Sequence, residues 1–209
     1  MVTTFLEEAA GGEAPPLVRI TIERYHQMID NGILCDGDPI ELIDGLLVRK
    51  DRSARGENLM TYGRRHALLL QRLSRLLSDW SDSVGYFVQV QTPVTLNEYS
   101  VPEPDLSIVR GTEEDYADRH PGPPELVLVI EVADSSVSTD RSTKQRLYAT
   151  AEIPVYWIVN IPDAQIEVYE QPDAASGKYL LPTILRAGQT VHFKLAGQTI
   201  DIDVTQLFA

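Results

Sequence analysis

The stretch ELVLVIEVA, residues 125–133, places five consecutive apolar residues directly before an acid, Glu131. A short run of aliphatic and β-branched residues that follows prolines predicts a strand, and this one is expected to be the most buried strand of the chain. After Ala133 the sequence changes to serine, threonine and charged residues, which end the strand. A carboxylate at the end of such a strand needs a partner or a function, because an unpaired buried charge is unfavourable. Glu131 is therefore a candidate site residue.

The segments before this strand predict a helix, a hairpin and a second, longer helix. Thr21 can cap the short helix IERYHQMID, and Gly32 lies just beyond its end. The dipeptide Asp44-Gly45 within PIELIDGLLVRK predicts a β-hairpin. Leucines at helical spacing predict the longest helix within MTYGRRHALLLQRLSRLLSDW.

Strands and one further helix are predicted in the rest of the chain. GYFVQVQTPVTL, PEPDLSIVR and ELVLVIEVA read as three strands, since each is rich in β-branched or aromatic residues. STDRSTKQRLYATAEI reads as a helix with Ser138 or Thr139 as its cap and Pro154 just after its end. VYWIVNI, QIEVYEQ, VHFKL and TIDID return to strand. This order predicts a mixed α/β or α+β sheet flanked by helices.

Chain length and terminal sequence predict one cytoplasmic domain. Residues 18–209 are expected to form a single domain after a flexible tail of residues 1–17. The tail carries Glu7, Glu8 and Glu13, where a signal peptide needs a basic start and an apolar middle. No apolar run approaches the roughly 20 residues that span a bilayer, so no membrane association is expected. The single cysteine, Cys35, cannot form an internal disulfide, which fits a reducing cytoplasm.

The charge balance lowers the expectation of nucleic-acid binding. The chain has 18 basic and 31 acidic residues, a net charge of −13, whereas proteins that bind phosphate usually carry a basic face. An acidic surface also keeps a protein soluble, and acids gathered in one place can hold divalent cations. The charge alone therefore does not decide the class of partner.

Acids at two predicted strand ends form a candidate metal site. Alternate residues of a strand share a face, so Glu103 and Asp105 point the same way, and Glu131 ends the next strand. If the two strands are neighbours, the carboxylates of Asp105 and Glu131 meet and repel one another unless a cation or a proton relieves them. Mg²⁺ is the usual hard ion for such oxygen ligands.

The helix after Glu131 can supply a positive charge to the same site. Asp140, Lys144 and Tyr148 are spaced by four residues and therefore share one helix face. If that face turns toward Glu131, Lys144 can balance the carboxylates, orient an attacking water and stabilise charge on a phosphoryl oxygen. These are the parts of phosphodiester hydrolysis.

The segments ELIDGLLV, PDLSIV, LVIEVADSS and DRSTKQRLYATAEIPVYWIV, together with His66 on the long helix, resemble a known family in their order. They resemble the PD-(D/E)XK nuclease superfamily and, within it, the Uma-two restriction endonuclease family. The resemblance implies a restriction-endonuclease-like core with an additional N-terminal hairpin and additional C-terminal strands. It also implies Asp105 and Glu131 as metal ligands. The position two after Glu131 is Ala133 rather than lysine, so the family's lysine matches Lys144 on the next helix.

The same resemblance implies supporting residues, a cofactor and a substrate. Glu41 and His66 match positions that are common in the family, and they and Asp140 are candidates for additional ligands or for residues that support the ligands. The implied activity is Mg²⁺-dependent DNA cleavage, in which Mn²⁺ can substitute. A homodimer is compatible with it, because two sites serve the two strands of a duplex.

Two other functions are compatible with the sequence. One is an interaction protein that keeps the nuclease fold without cleaving, which the net charge of −13 suits. The other is metal-dependent hydrolysis of a smaller phosphate compound, which needs an enclosed pocket. At the level of single residues, Glu131 and Lys144 can instead form a structural salt bridge between helix and sheet. Arginines beside the acids favour a nuclease, and four candidates are Arg64, Arg65, Arg141 and Arg146.

Overall fold

The computed structural model describes residues 9, 12, 15–35, 37–50 and 63–209, so most of the predicted tail lies outside the described residues. The helices are α1 (Ile22–Asp30), α2 (Arg64–Asp82), α3 and α4 (Val204–Phe208). Helix α3 consists of a turn at Val137–Thr139, a π-helical turn at Asp140–Lys144 and an α-helical part at Gln145–Thr150. The strands are β1 (Ile40–Ile43), β2 (Leu46–Arg49), β3 (Tyr86–Val90), β4 (Leu106–Arg110), β5 (Leu126–Ala133), β6 (Val155–Asn160), β7 (Gln165–Glu170), β8 (Thr183–Arg186), β9 (Thr190–Leu195) and β10 (Gln198–Asp203).

Six strands form a central sheet in the order β3-β4-β5-β6-β7-β8. Strands β5 and β6 run parallel, and the other neighbouring pairs are antiparallel. A parallel pair needs a crossover connection, and α3 provides it between β5 and β6. Two antiparallel hairpins, β1–β2 and β9–β10, stand outside this sheet. The predicted mixed sheet flanked by helices, with an extra N-terminal hairpin and extra C-terminal strands, is confirmed.

Strand β5 lies in the middle of the sheet and is covered on both faces, which explains its continuous apolar run. On one face, Leu128 and Ile130 belong to a core that includes Leu73 of α2. On the other face, Val129 belongs to a core that includes Tyr148 of α3. Because side chains alternate along a strand, the residue after Ile130 points toward the α3 layer.

Two local predictions near the N-terminus are confirmed. Helix α1 has the expected bounds, and the Thr21 side chain accepts a hydrogen bond from the backbone N–H of Arg24. The hairpin turns at Asp44 and Gly45, whose φ angles are 51° and 81°. A Cβ atom added at Gly45 would lie 2.5 Å from Cβ of Arg19, so the turn requires glycine for both conformation and space.

The structure corrects three other predictions. Helix α3 begins at Val137, so Ser138 and Thr139 lie within it and not at its cap. The strand predicted in GYFVQVQTPVTL ends at Val90, because Gln91 adopts a φ of 50° that turns the chain out of the sheet. Strand β8 is an additional strand whose short sequence gives little periodicity. Within the described residues, no helix combines the length and the apolar character needed to cross a bilayer.

Candidate active site

Asp105 and Glu131 lie side by side at the same end of two adjacent strands of the central sheet. Leu106 of β4 pairs with Ile130 of β5 in antiparallel register, so Asp105, directly before β4, lies opposite Glu131. Opposite residues of an antiparallel pair extend on the same face of the sheet. Both acids are buried, and both line the same cavity. The structure thus brings together the two acids that the sequence predicts as metal ligands.

Asp105 is held as an ionised carboxylate. Its Oδ2 accepts the backbone N–H of Val132 at 2.9 Å and lies 3.1 Å from Nε2 of His66. The side-chain amide of Gln91 donates to Oδ1 at 3.3 Å. Burial by itself raises the pKa of Asp105, but the hydrogen bond and charge of His66, the charge of Lys50 and the strand N–H outweigh burial and lower it. His66 thus supports Asp105, as expected for one of the additional candidates.

Glu131 is in a less favourable environment for a charge. The hydroxyl of Tyr148 donates to its Oε1 at 2.8 Å, and Nζ of Lys144 lies 3.5 Å from the same oxygen. Burial raises the pKa of Glu131, and the charge of Asp105 raises it further, although Lys144 opposes both effects. Among the described residues, no hydrogen bond reaches the second oxygen, Oε2. Glu131 lines the cavity, so its carboxylate lies beside the space that a ligand can occupy.

Lys144 extends from α3 toward the acids, but its closest partner is Glu41 of β1. Its Nζ lies 2.5 Å from Oε1 of Glu41, compared with 3.5 Å from Oε1 of Glu131. Glu41 Oε1 also accepts the backbone N–H of Glu103 at 2.7 Å. Burial lowers the pKa of Lys144, but the charges of Glu131 and Glu41 outweigh burial and raise it. Lys144 is therefore an ammonium shared by two carboxylates, and the nearer partner in the helix-to-sheet salt bridge is Glu41.

Asp140 lies in the same cavity on the first residue of the π-helical turn. The hydroxyl of Ser136 donates to its Oδ2 at 2.6 Å. Burial and then the charge of Glu131 raise the pKa of Asp140 to about 8, so this acid carries a proton at neutral pH. Asp140, Lys144 and Tyr148 are all buried, in line with the common helix face that their spacing predicts.

Lys50, the residue after β2, is a site residue that the sequence reasoning missed. Its Nζ donates to the backbone carbonyl of Glu103 at 2.6 Å and to Oε1 of Glu103 at 3.0 Å. Burial opposes the positive charge of Lys50, but the charges of Glu131 and Asp105 outweigh burial and raise its pKa. The sequence signal for Lys50 is the alternation of side chains along β2. By this alternation Lys50 lies on the same face as Val48, and Glu41, which pairs with Val48, lies on that face too.

The four arginines considered as phosphate-binding residues do not all surround the acids. Arg146 lines the cavity and forms an ion pair with the acid of the hairpin turn. Arg141 is absent from the lining and makes hydrogen bonds of 3.0 and 2.6 Å to the buried carboxylate of Glu167. Arg64 and Arg65 are exposed at the start of α2. Of these four arginines, only Arg146 therefore lines the cavity that holds the acids.

The acids open onto a cavity of about 490 Å³. Helix α3 and the loop before it contribute hydroxyl groups to its wall, from Ser135, Ser136, Thr139 and Thr143. The hairpin contributes apolar side chains, from Ile43, Leu46 and Val48. The site thus combines carboxylates, ammonium groups, hydroxyls and one apolar wall, within the size range of pockets that bind small ligands.

The donor atoms fit a hydrated divalent cation. Across the described ranges, no group of three or more His, Cys, Asp or Glu side chains forms a preformed metal cluster. Mg²⁺ usually binds proteins through one or two carboxylates and keeps several of its waters. Asp105 and Glu131 supply carboxylate oxygens, which are hard ligands, at one cavity. Two carboxylates and water therefore satisfy the needs of Mg²⁺ or Mn²⁺ without a third side chain.

A mixed sheet with acids at the ends of two adjacent strands, and a lysine from the crossover helix, defines a nuclease-like α/β domain. The chain belongs to the family described as "Uma2: Putative restriction endonuclease", whose family model matches residues 22–205. Its fold is similar to that of "a putative nuclease belonging to DUF820 from Anabaena variabilis ATCC 29413" in a crystal structure. The two share 14% sequence identity with a TM-score of 0.69, over 90% of this chain and 97% of that chain. No curated protein matches the chain. The family resemblance seen in the sequence is confirmed.

Proposed function

We propose that the protein is a Mg²⁺-dependent endonuclease that hydrolyses phosphodiester bonds in DNA, and that Mn²⁺ can replace Mg²⁺. Membership of a restriction endonuclease family supports this function. The observation that carries it is the convergence of Asp105, Glu131 and Lys144 in one cavity from three different elements. In this proposal the two acids are metal ligands and Lys144 is the charge-stabilising residue.

The metal ion, held by Asp105 and Glu131, would lower the pKa of a bound water and neutralise charge on the phosphoryl group. Lys144 supplies a fixed positive charge for the negative charge that develops on a phosphoryl oxygen in the transition state. Glu41 holds that ammonium in position through their 2.5 Å contact. Tyr148 orients the carboxylate of Glu131 by donating a hydrogen bond to Oε1.

The cavity can accept a phosphate even though the net charge of the chain is −13. Lys50 and Lys144 place two ammonium groups among the acids. Burial and the charge of Glu131 raise the pKa of Asp140, which reduces the negative charge of this acid at neutral pH. A Mg²⁺ ion held by Asp105 and Glu131 would add two further positive charges there, and local positive charge draws in an anionic substrate regardless of the net charge of the surface.

Cleavage assays with two variants test the function. Asp105→Asn and Lys144→Ala are each expected to lower the rate of DNA cleavage by at least about 100-fold, because each removes a group that acts on the transition state. Mg²⁺ affinity, measured by calorimetry, should fall in Asp105→Asn and largely survive in Lys144→Ala. The control is Lys178→Ala, at an exposed position outside the cavity lining, which should cleave like wild type.

Wild-type rates in Lys144→Ala would contradict the role of this lysine. Purified protein that cleaves neither DNA nor RNA with Mg²⁺ or Mn²⁺ would favour the interaction protein that keeps the fold without cleaving. Turnover of small phosphate esters, with no cleavage of polymers, would favour the smaller substrate. Sedimentation of the active protein would show whether it works as the homodimer that two-strand cleavage suggests.

Thermal melts of Glu131→Gln separate a metal ligand from a structural ion. In EDTA the variant should melt at the same temperature as wild type or higher, because burial already disfavours the charge of Glu131 and Lys144 keeps Glu41 as its partner. Mg²⁺ at 100 times its dissociation constant should stabilise wild type by about 2.7 kcal/mol, and this increment should be absent in the variant. A large drop in EDTA, together with no response of wild type to Mg²⁺, would exclude the metal site.

A further inference from the structure

The β1–β2 hairpin presents an apolar face to the candidate active site. In its register, Ile43 pairs with Leu46 and Glu41 pairs with Val48, and all four side chains line the cavity beside the acids. Leu47 alternates to the opposite face and is not part of the cavity lining. One strand therefore carries both cavity-facing and outward-facing apolar residues of similar size.

The cavity-facing residues of β2 are unusually accessible for large apolar side chains. Leu46 is 44% exposed and Val48 is 37% exposed, which is similar to the 37% of Leu47. The rest of the cavity lining is dominated by charged and hydroxyl groups. A ligand that contacts the hairpin wall must therefore have an apolar surface. It must also have an anionic group that can bind the lysine ammonium groups and a metal ion held by the two acids.

A nucleotide with an unpaired base has this combination. In a straight duplex the bases are stacked and paired, so the surface beside a backbone phosphate consists of sugar and neighbouring phosphates. In a single strand a base can turn out and pack its flat apolar face on protein side chains while the adjacent phosphate binds basic groups. A cavity of about 490 Å³ has room for a ligand of the size of one nucleotide.

The apolar wall is also fixed in place relative to the acids. Arg146 of α3 pairs with Asp44 in the hairpin turn, and Lys144 of α3 pairs with Glu41 of β1. These two ion pairs connect the hairpin to the helix that forms the opposite, hydroxyl-bearing wall. A base on the hairpin would therefore lie at a defined position beside the candidate catalytic groups.

We infer that the hairpin face formed by Ile43, Leu46 and Val48 binds an unpaired nucleobase next to the phosphate that is cleaved. The substrate class is therefore single-stranded or locally unpaired nucleic acid. This inference rests on the proposed nuclease function and deepens it by naming the form of the substrate.

Threonine substitutions along β2 test the inference. Leu46→Thr and Val48→Thr remove apolar contact but keep the strand preference of the hairpin, and Leu47→Thr is the matched control on the opposite face. Binding of a short fluorescent DNA strand, of its duplex and of the RNA strand is measured by anisotropy with Ca²⁺ in place of Mg²⁺. Each cavity-facing variant should bind the single strands about fivefold to tenfold more weakly. Leu47→Thr should stay within about twofold of wild type.

The inference predicts a preference for single strands over the duplex and a difference between the two faces of β2. Wild type should bind a single strand more tightly than the duplex, and the DNA and RNA arms show which sugar is preferred. Tighter duplex binding, or equal losses in Leu46→Thr and Leu47→Thr with unchanged melting temperatures, would overturn the inference. Duplex cleavage that neither cavity-facing variant affects would overturn the inference alone, whereas the absence of binding and cleavage with every nucleic acid would remove the proposed function as well.

Discussion

Replacing Lys144 with methionine is expected to lower the free energy of unfolding by about 3–5 kcal/mol at pH 8 in EDTA. The ammonium lies 2.5 Å from Glu41 and 3.5 Å from Glu131, and all three side chains are buried. Methionine has a similar length and keeps the apolar packing of the lysine stem, so the substitution chiefly removes the charge. The buried carboxylates then lose their closest cation.

The effect of Lys144→Met should shrink as the pH is lowered. Burial already raises the pKa of Glu131, and without the opposing ammonium that pKa rises further. An acid whose pKa is higher in the folded state contributes stability that is present below its unfolded pKa and is lost as the pH rises through the folded pKa. The variant should therefore be closest to wild type near pH 4 and furthest from it at pH 8.

Urea unfolding at the two pH values measures this difference. The control Lys178→Met, at an exposed lysine, should stay within about 0.5 kcal/mol of wild type at both. Equal unfolding midpoints for Lys144→Met and wild type at pH 8 would show that the acids do not depend on this ammonium.

Asp140→Asn should stabilise the protein by roughly 3 kcal/mol or more at pH 9, with little difference from wild type near pH 3. The pKa of Asp140 is raised from 3.8 to about 8 by burial and by the charge of Glu131. Because the folded pKa is the higher one, the contribution of Asp140 to stability is fully present below about pH 4 and is lost between about pH 4 and 8. Asparagine keeps an acceptor for Ser136 but never becomes charged, so it escapes that loss.

The measurement is the free energy of unfolding in EDTA from pH 3 to pH 9. Asp79→Asn is a matched control, because Asp79 is exposed on α2 and should give a pH profile parallel to that of wild type. If Asp140→Asn also runs parallel to wild type, the pKa of Asp140 is the same in the folded and unfolded states and its environment does not favour the protonated form.

These expected effects help to distinguish a catalytic nuclease site from a nuclease fold that does not cleave. The environment of Glu131 and Asp140 disfavours their charged forms, so ionising them lowers stability. A buried ion pair such as that of Lys144 and Glu41 is weak evidence for stabilisation, since apolar residues of the same volume often serve as well. Groups that lower stability yet lie together in a cavity are characteristic of sites kept for binding or catalysis. This arrangement favours the nuclease over the interaction protein.

Local patterns were sufficient to predict much of the fold. The apolar run of β5, the Asp44-Gly45 turn and the Thr21 cap act within a few residues, so the sequence alone specifies them. The start of α3 was predicted incorrectly because Ser138 and Thr139 both have the chemistry of a cap, and the π-helical turn after them depends on packing.

For the site, the sequence predicted the identity of the residues more accurately than it predicted which of them pair with each other. Side-chain alternation placed Glu103 with Asp105, and helical spacing placed Lys144 with Asp140, but the meeting of these groups with Glu131 depended on which strands and faces the fold brings together. Their roles as ligands and catalyst stay predictions. The contribution of Lys50 was missed, because its place depends on where the hairpin docks on the sheet.

The sequence by itself therefore determined the central strand and the helices that cover it, whereas the pairing of β4 with β5 decided that Asp105 and Glu131 meet. Only the tertiary structure decided that Lys144 binds Glu41, which is 103 residues away, and that His66 supports Asp105 from 39 residues away. The physical reason is the distance along the chain over which each kind of interaction acts. Turns, caps and side-chain alternation are set by neighbouring residues, whereas the partner of a buried charge is whichever group the packing of distant elements brings within hydrogen-bond distance.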